Sequence, residues 1–254
     1  MMKPDAAAPT YEIAPGAFAL PSGLLWLAHT RTLLAADAHF AYEDVIGGAL
    51  PLWSTAEAAA TLAIAAQRLD ALEIVLLGDV IHGSFMSEGA ARTVAQTLET
   101  LRERTRVTLI AGNHEGRTRG VAVLGNTVER LERDGWMLMH GDRAPVAGTR
   151  TIIGHLHPSL HMGGGATVPA FLAGRDIIVV PALTPYSPGL DVCSDACIAA
   201  LAPWNVARKD LHVVASTAER VFPFGTLSAL RGALRKPYDP RASRYRRKFL
   251  RPDA

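Results

Sequence analysis

The sequence predicts an α/β fold in which layered, mixed β-sheets are covered by helices. Three observations lead there. The 254 residues, 49% hydrophobic and 20% charged, can bury one sizeable core and fit one domain better than two. In the first half, apolar runs alternate with helix-forming stretches, while the second half is mostly short apolar runs, which argues against a pure parallel sheet. The runs also stop, again and again, at Asp, Asn or His.

Taken in order, residues 1–20 are rich in Pro and Ala and read as a flexible N-terminal arm. GLLWLA and TLLAADAHF read as two strands joined tightly through His29, Thr30 and Arg31. Ser54 and Glu57 have the spacing of a capping box, which predicts a helix to about Leu69. EIVLLGD is a buried strand ending at a glycine turn. Ser87 can cap a second helix running to about Arg104. RVTLIAGNH repeats the strand-then-polar-turn pattern, and Asn126 with Glu129 suggests a shorter helix closed near Gly135. GWMLMH, TRTIIGH, RDIIVVPAL, ACIAALAP and DLHVVAS are further apolar runs, read mainly as strands. Pro158 to Gly174, with Gly163, Gly164 and Gly165, is expected to be a long loop, and the sequence carries no signature that decides whether it is a lid.

Composition excludes several classes. The apolar content is too high for a disordered chain, and two cysteines, Cys193 and Cys197, are too few for a disulfide scaffold. No apolar run approaches the roughly 20 residues of a membrane span, and the opening MMKPDAAAPTYEIAPG lacks a basic head followed by an apolar stretch. A cytoplasmic protein with reduced thiols and no membrane partner is expected. Residues 231–254 hold nine Lys or Arg against two Asp or Glu, on an otherwise mildly acidic body. This basic C-terminal tail is either a solvated extension or an arm for an anionic partner such as nucleic acid.

The strand ends carry the chemistry. DAH places Asp37 and His39, GDVIH places Asp79 and His82, and GNHE places Asn113, His114 and Glu115. MHGD places His140 and Asp142, and GHLH places His155 and His157. Six of the nine histidines fall in these five places. Taken singly, each is ordinary: Asp79 could cap a helix, and GNH could be a turn with a left-handed asparagine. Histidine is not a turn residue, however, and five strand ends with Asp, Asn or His are explained together by a metal cluster. Carboxylate, imidazole and amide oxygens without thiolates suit Mn, Fe or Zn rather than a structural zinc. The number of donors exceeds the needs of one ion and fits two.

The ordered set DAH, GDVIH, GNHE, MHGD and GHLH resembles the calcineurin-like metallophosphoesterases, over about residues 21–230. DAHFAYE, GDVIH and VFPFGTLSALR are similar to a small prokaryotic branch that includes the DNA-ligase-associated phosphoesterases. The resemblance implies a four-layer αββα sandwich, two mixed sheets flanked by helices. It implies one divalent ion on Asp37, His39 and His157, a second on Asn113, His140 and His155, and Asp79 bridging them, with Mn foremost. It also implies that His114 is the general acid. His82 and Glu115 replace residues commoner in the family and are expected beside the ligands or facing substrate. Asp142 is expected to orient His140, and Arg117 to contact phosphate.

With the resemblance, these residues predict a phosphoesterase, most simply a phosphodiesterase or nuclease-type hydrolase attacking with a metal-bridging hydroxide; the link to DNA repair is what the resemblance implies. The alternatives are a small-molecule phosphomonoesterase or nucleotide pyrophosphohydrolase with the same core, and a non-catalytic scaffold on the same fold. Tyr42 and Trp53 follow the first motif, where they either pack at the rim or stack a substrate base. The oligomeric state has no signature in the sequence.

Overall fold

The computed structural model describes residues 10–47, 50–83, 86–114, 119–162, 164–206 and 208–235. Two sheets face each other. The first has the order β1-β2-β3-β4-β5-β6, formed by Tyr11–Ala14, Ala17–Ala19, Leu25–Leu27, Thr32–Ala35, Glu73–Leu77 and Arg106–Ile110. Its first four strands are antiparallel neighbours, whereas β4, β5 and β6 run parallel. Two helices, α2 (Trp53–Arg68) and α3 (Glu88–Arg102), provide the crossovers between these parallel strands.

The second sheet is built from β7 (Arg130–Arg133), β8 (Trp136–Met139), β9 (Thr151–Ile153), β10 (Pro158–His161), β11 (Thr167–Ala173), β12 (Ile177–Val179), β13 (Leu190–Asp191), β14 (His212–Ser216) and β15 (Val221–Thr226). Its order is β13-β10-β11-β12-β9-β8-β7, with β14 on β11 and β15 on β14. Parallel β8-β9 and β9-β12 pairs sit among antiparallel ones. Shorter helices complete the fold: α1 (Tyr42–Ile46), α4 (Arg119–Leu124), α5 (Asp195–Ala200) and α6 (Leu227–Arg235).

Alternation along buried strands sets the layers. In β5, Ile74 and Leu76 join Leu62, Ala66, Val94 and Leu98 under the helices, while Val75 and Leu77 point the other way. There they meet Trp136, Leu138, Ile152 and Ile178 of the second sheet. The outer face of that sheet, through Leu172, Val179 and Val213, packs on Cys197, Leu201 and Leu227. Three apolar clusters therefore separate four layers, helix–sheet–sheet–helix. Among the described residues, no helix is long and apolar enough to cross a membrane.

Several local expectations are corrected. The capping box does not form: α2 begins at Trp53 without a side-chain cap, and Ser54 gives its backbone N–H and its hydroxyl to the buried Glu43, both at 2.8 Å. A long-range carboxylate has displaced the local one. The helix expected from Asn126 to Gly135 is instead the strand β7, joined to β8 by a two-residue turn. Asp134 (φ 51°) and Gly135 (φ 71°) both take the left-handed conformation that a tight hairpin of this twist requires. Pro158–Gly174 is largely the β10-β11 hairpin, with Gly164 and Gly165 at its tip, and Gly163 lies outside the described residues. ACIAALAP contributes α5, capped by Ser194, which accepts from the Cys197 N–H at 3.1 Å. The order of the fold starts before residue 20, because β1 and β2 extend the first sheet. At the other end α6 runs to Arg235, and within it Arg231 pairs with Asp195 at 2.6 Å. The tail beyond residue 235 lies outside the described residues.

Candidate metal centre

Every one of the five polar clusters follows a strand that runs parallel to a neighbour. Asp37 and His39 follow β4, Asp79 and His82 follow β5, Asn113 and His114 follow β6, His140 follows β8, and His155 and His157 follow β9. The carboxyl ends of both sheets meet at one place, where loops leave the sheets and side chains can converge. Two hydrogen bonds stitch the sheets together there. Leu77 O lies 2.9 Å from His140 Nδ1, and the His155 N–H donates to Asp37 Oδ2 at 2.8 Å.

The backbone is bent to aim these side chains. Asp37 (φ 52°), His39 (45°), Asp79 (44°), His155 (63°) and His157 (43°) are all in the left-handed region. For residues other than glycine this costs on the order of 1–3 kcal/mol each, and such strain collects at functional sites. Backbone bonds hold it in place: His39 N–H to Asp79 O at 3.0 Å, and Phe40 N–H to Val80 O at 2.7 Å.

Two groups of donor atoms result. Asp37, His39 and His157 form one, and Asp79, His140 and His155 the other, with all donor atoms of each group within 4.8 Å of one another. Asn113 Oδ1 joins the second group, 2.9 Å from His140 Nε2. The ring of His140 spans both groups, with Nδ1 3.7 Å from Asp37 Oδ1 and Nε2 3.3 Å from Asp79 Oδ2. All seven residues that the resemblance implies as ligands are thus brought together. His82 and His114 form a third group with His39, and the His82 and His39 Nδ1 atoms are 3.0 Å apart. Asp142 pairs with Arg143 at 4.0 Å, and its charge favours the protonated form of His155. Glu115 and Arg117 lie outside the described residues.

The donor set fits two divalent cations. Asp37 is fully buried, and its Oδ1 accepts no hydrogen bond among the described residues. A desolvated carboxylate oxygen without a donor is costly, and a cation beside it removes that cost. The histidines are also oriented for ligation. His157 Nδ1 is held by Ser187 Oγ at 2.7 Å, which leaves Nε2 facing Asp37 Oδ1 at 3.3 Å. His140 Nδ1 is held by Leu77 O, which leaves Nε2 toward Asp79, Asn113 and His155. Outer partners of this kind fix the tautomer that offers a lone pair.

Charge in the site is unevenly distributed. Burial, and then the neighbouring His157, push His39 down to about 3, so it is a neutral imidazole ready to ligate. Burial and His140 likewise lower His155. His140 behaves oppositely: burial disfavours its charge, but the hydrogen bond to Asp79 and the charge of Asp37 outweigh it and raise the pKa to about 9. For Asp79, burial is outweighed by the His140 bond and charge and by the His114 N–H, so it stays ionised well below the ordinary carboxylate range.

A pH dependence follows. With its pKa raised to about 9, His140 holds a proton at neutral pH in the metal-free protein, and ligation requires that proton to leave. Its pairing with the carboxylates stabilises the metal-free fold fully below its ordinary pKa of 6.5 and is lost as pH rises through about 9. Metal affinity runs the other way and should rise with pH until about 9. Calorimetric titration with Mn²⁺ at pH 7.5, in buffers of different ionisation enthalpy, should show about one proton released per protein on this account. No proton release would mean that His140 is already neutral.

The glycines of the motifs belong to the site through geometry that spacing alone does not reveal. A Cβ on Gly112 would collide with the backbone N and Oδ1 of Asp79, and one on Gly78 with the His140 ring. One on Gly154 would lie 2.6 Å from Asp37 Oδ2. Gly112→Ala should therefore displace Asp79, whose Oδ1 also accepts from the His114 N–H at 2.9 Å. Overpacking of this kind costs about 1–3 kcal/mol. Thermal melting should fall by several degrees, and Mn²⁺ affinity should fall with it. An unchanged melt together with unchanged Mn²⁺ affinity would show that the close approach is not needed.

No family model matches the sequence. No curated protein matches it either. Among solved structures, nuclease MPE of Pseudomonas putida superposes with a TM-score of 0.61 at 21% identity, covering 82% of this chain and 94% of that one. The E. coli phosphoesterase YfcE gives 0.41 at 16% identity, covering 77% and 97%. With its two mixed sheets between helical layers, the chain has the metallophosphoesterase fold.

Proposed function

We propose that the protein is a dinuclear metal-dependent phosphoesterase, and that it hydrolyses phosphodiesters of the nucleic-acid type. The observation that carries this reading is the pair of Asp/His groups brought from two sheets to one strand-end site, with Asp37 Oδ1 buried and, among the described residues, lacking a donor. Two divalent ions held there would polarise the phosphoryl oxygens and acidify a water for attack on phosphorus. The likeness to a nuclease supports the diester preference.

The protein's own groups do the rest. Asp37 and Asp79 set a compact negative floor against which cations are held, and Ser187 and the Leu77 carbonyl keep His157 and His140 in their ligating orientations. His114 stands at the mouth with its side chain 43% exposed. Its Nε2 is 3.8 Å from Asp79 Oδ2, too long for a hydrogen bond, so it is free to give a proton to a leaving oxygen.

The test is a pair of initial rates, on bis(p-nitrophenyl) phosphate and p-nitrophenyl phosphate, with Mn²⁺-loaded and chelated protein. Chelator-sensitive cleavage of the diester, faster than that of the monoester, is the expected result. A monoester preference would reassign the site to small phosphate metabolites. No turnover of either with two ions bound would point to a binding scaffold.

A further inference from the structure

One wall of the site is a continuous run of aromatic rings. His114 and His82 stack with centroids 5.2 Å apart and planes at 26°. His82 meets Tyr42 edge-on at 4.3 Å, and Tyr42 stacks on Tyr186 at 4.7 Å and 15°. His39, in the first donor group, touches both His82 and His114, at 4.8 and 5.3 Å. The run begins at the reacting end of the site and finishes at Tyr186, which is 39% exposed. The rings come from separate loops and helix α1, so the wall exists only in the folded chain.

Tyr186 is held rigidly. Its hydroxyl donates to Glu43 Oε1 at 3.1 Å, and the same carboxylate, 1% exposed, is fixed by the N–H and hydroxyl of Ser54. One face of its ring is backed by Tyr42. The side chain is locked at the hydroxyl and on one face yet keeps much of its surface in solvent. A flat ligand that stacks on it does not have to order it first.

We propose that Tyr186, backed by Tyr42, is a stacking plane for an unpaired nucleobase next to the scissile phosphate, making single-stranded nucleic acid and nucleoside phosphodiesters the preferred substrate class. The proposal rests on the phosphodiesterase reading and adds a recognition element to it. Each base has a planar face that such a ring can accept whatever its identity, so the preference is for the presence of a base and not for its sequence. In a duplex the base faces are already occupied by their neighbours.

Two comparisons test it. Thymidine 5′-(p-nitrophenyl phosphate) and methyl p-nitrophenyl phosphate share a leaving group and differ in the base-bearing part. Mn²⁺-loaded protein should favour the nucleoside ester in kcat/KM by roughly 5- to 100-fold. Tyr186→Leu should collapse that ratio, and Tyr186→Phe, which keeps the ring without the hydroxyl, should retain it. Equal loss in both variants would assign the effect to the hydroxyl and overturn stacking. Independently of any variant, fluorescence anisotropy on the wild-type chain should show a labelled oligothymidylate binding more tightly than an abasic strand of equal length. Equal binding, or equal cleavage of the two esters, would overturn the stacking plane while leaving the phosphodiesterase reading in place. Base-dependent binding with neither ester hydrolysed would do the reverse.

Discussion

Asp79→Asn should lower kcat/KM on a phosphodiester by more than about 10³-fold while the chain still folds. The carboxylate is 2% exposed and lies 3.3 Å from His140 Nε2, and its other oxygen accepts the His114 N–H. Asparagine fills the same volume and can still accept that N–H, so the turn after β5 survives. What disappears is the charge. Asp37 is then the one buried carboxylate left among the two donor groups, and an imidazole-and-amide set holds a divalent cation poorly without a partner anion. His140 also loses the hydrogen bond that most strongly favours its protonated form, so its pKa should fall from about 9. Metal analysis after dialysis should show fewer than two ions per chain. Activity near that of the wild type, with two ions retained, would remove Asp79 from the role of bridging ligand.

Much of the site was legible in the sequence, for a physical reason. A parallel strand buried on both faces must be a short apolar run, so its end is conspicuous, and a histidine placed there has no role in turn formation. Asp37, His39, Asp79, Asn113, His140, His155 and His157 were all marked that way, and the structure gathers them. What was missed depends on contacts far along the chain. Ser187 and Tyr186 lie in TPYSPG, a segment with no periodicity and no cluster of ligating types, and only the fold brings them to His157 and Glu43. Ser54 had a plausible local partner in Glu57 and chose Glu43 instead.

The strand errors share a cause of another kind. β7 is an edge strand whose RLER pattern is dominated by charges, the usual protection of an open edge, and this hides its alternation. The Asp134-Gly135 turn then resembles a helix stop as much as a hairpin. At the N-terminus, Pro and Ala suggested a loose arm, yet Ala17 and Ala19 are fully buried between the sheets. Small side chains suit that narrow edge of the interior, and a composition argument reads them as absence of structure.

His114→Ala should separate two kinds of substrate. Its backbone N–H is tied to Asp79 Oδ1, and its Nδ1 lies 3.3 Å from the His82 carbonyl, an arrangement that places a donor N–H on that oxygen and leaves Nε2 on the side of Asp79, 3.8 Å from Oδ2. Substitution by alanine keeps the backbone bond and removes only the ring. For a diester with an alkoxide leaving group, such as an oligonucleotide, the leaving oxygen needs a proton, and the rate should fall by roughly 10²–10⁴. A p-nitrophenolate leaves without one, so bis(p-nitrophenyl) phosphate should be cleaved at nearly the wild-type rate. A plot of log kcat against leaving-group pKa should accordingly steepen in the variant. The competing account is that His114 belongs to the third histidine group, with His39 and His82, and helps to hold an ion. That account requires an equal loss on both substrates and a lower metal content. Equal losses, with or without the change in metal content, would remove His114 from the role of acid.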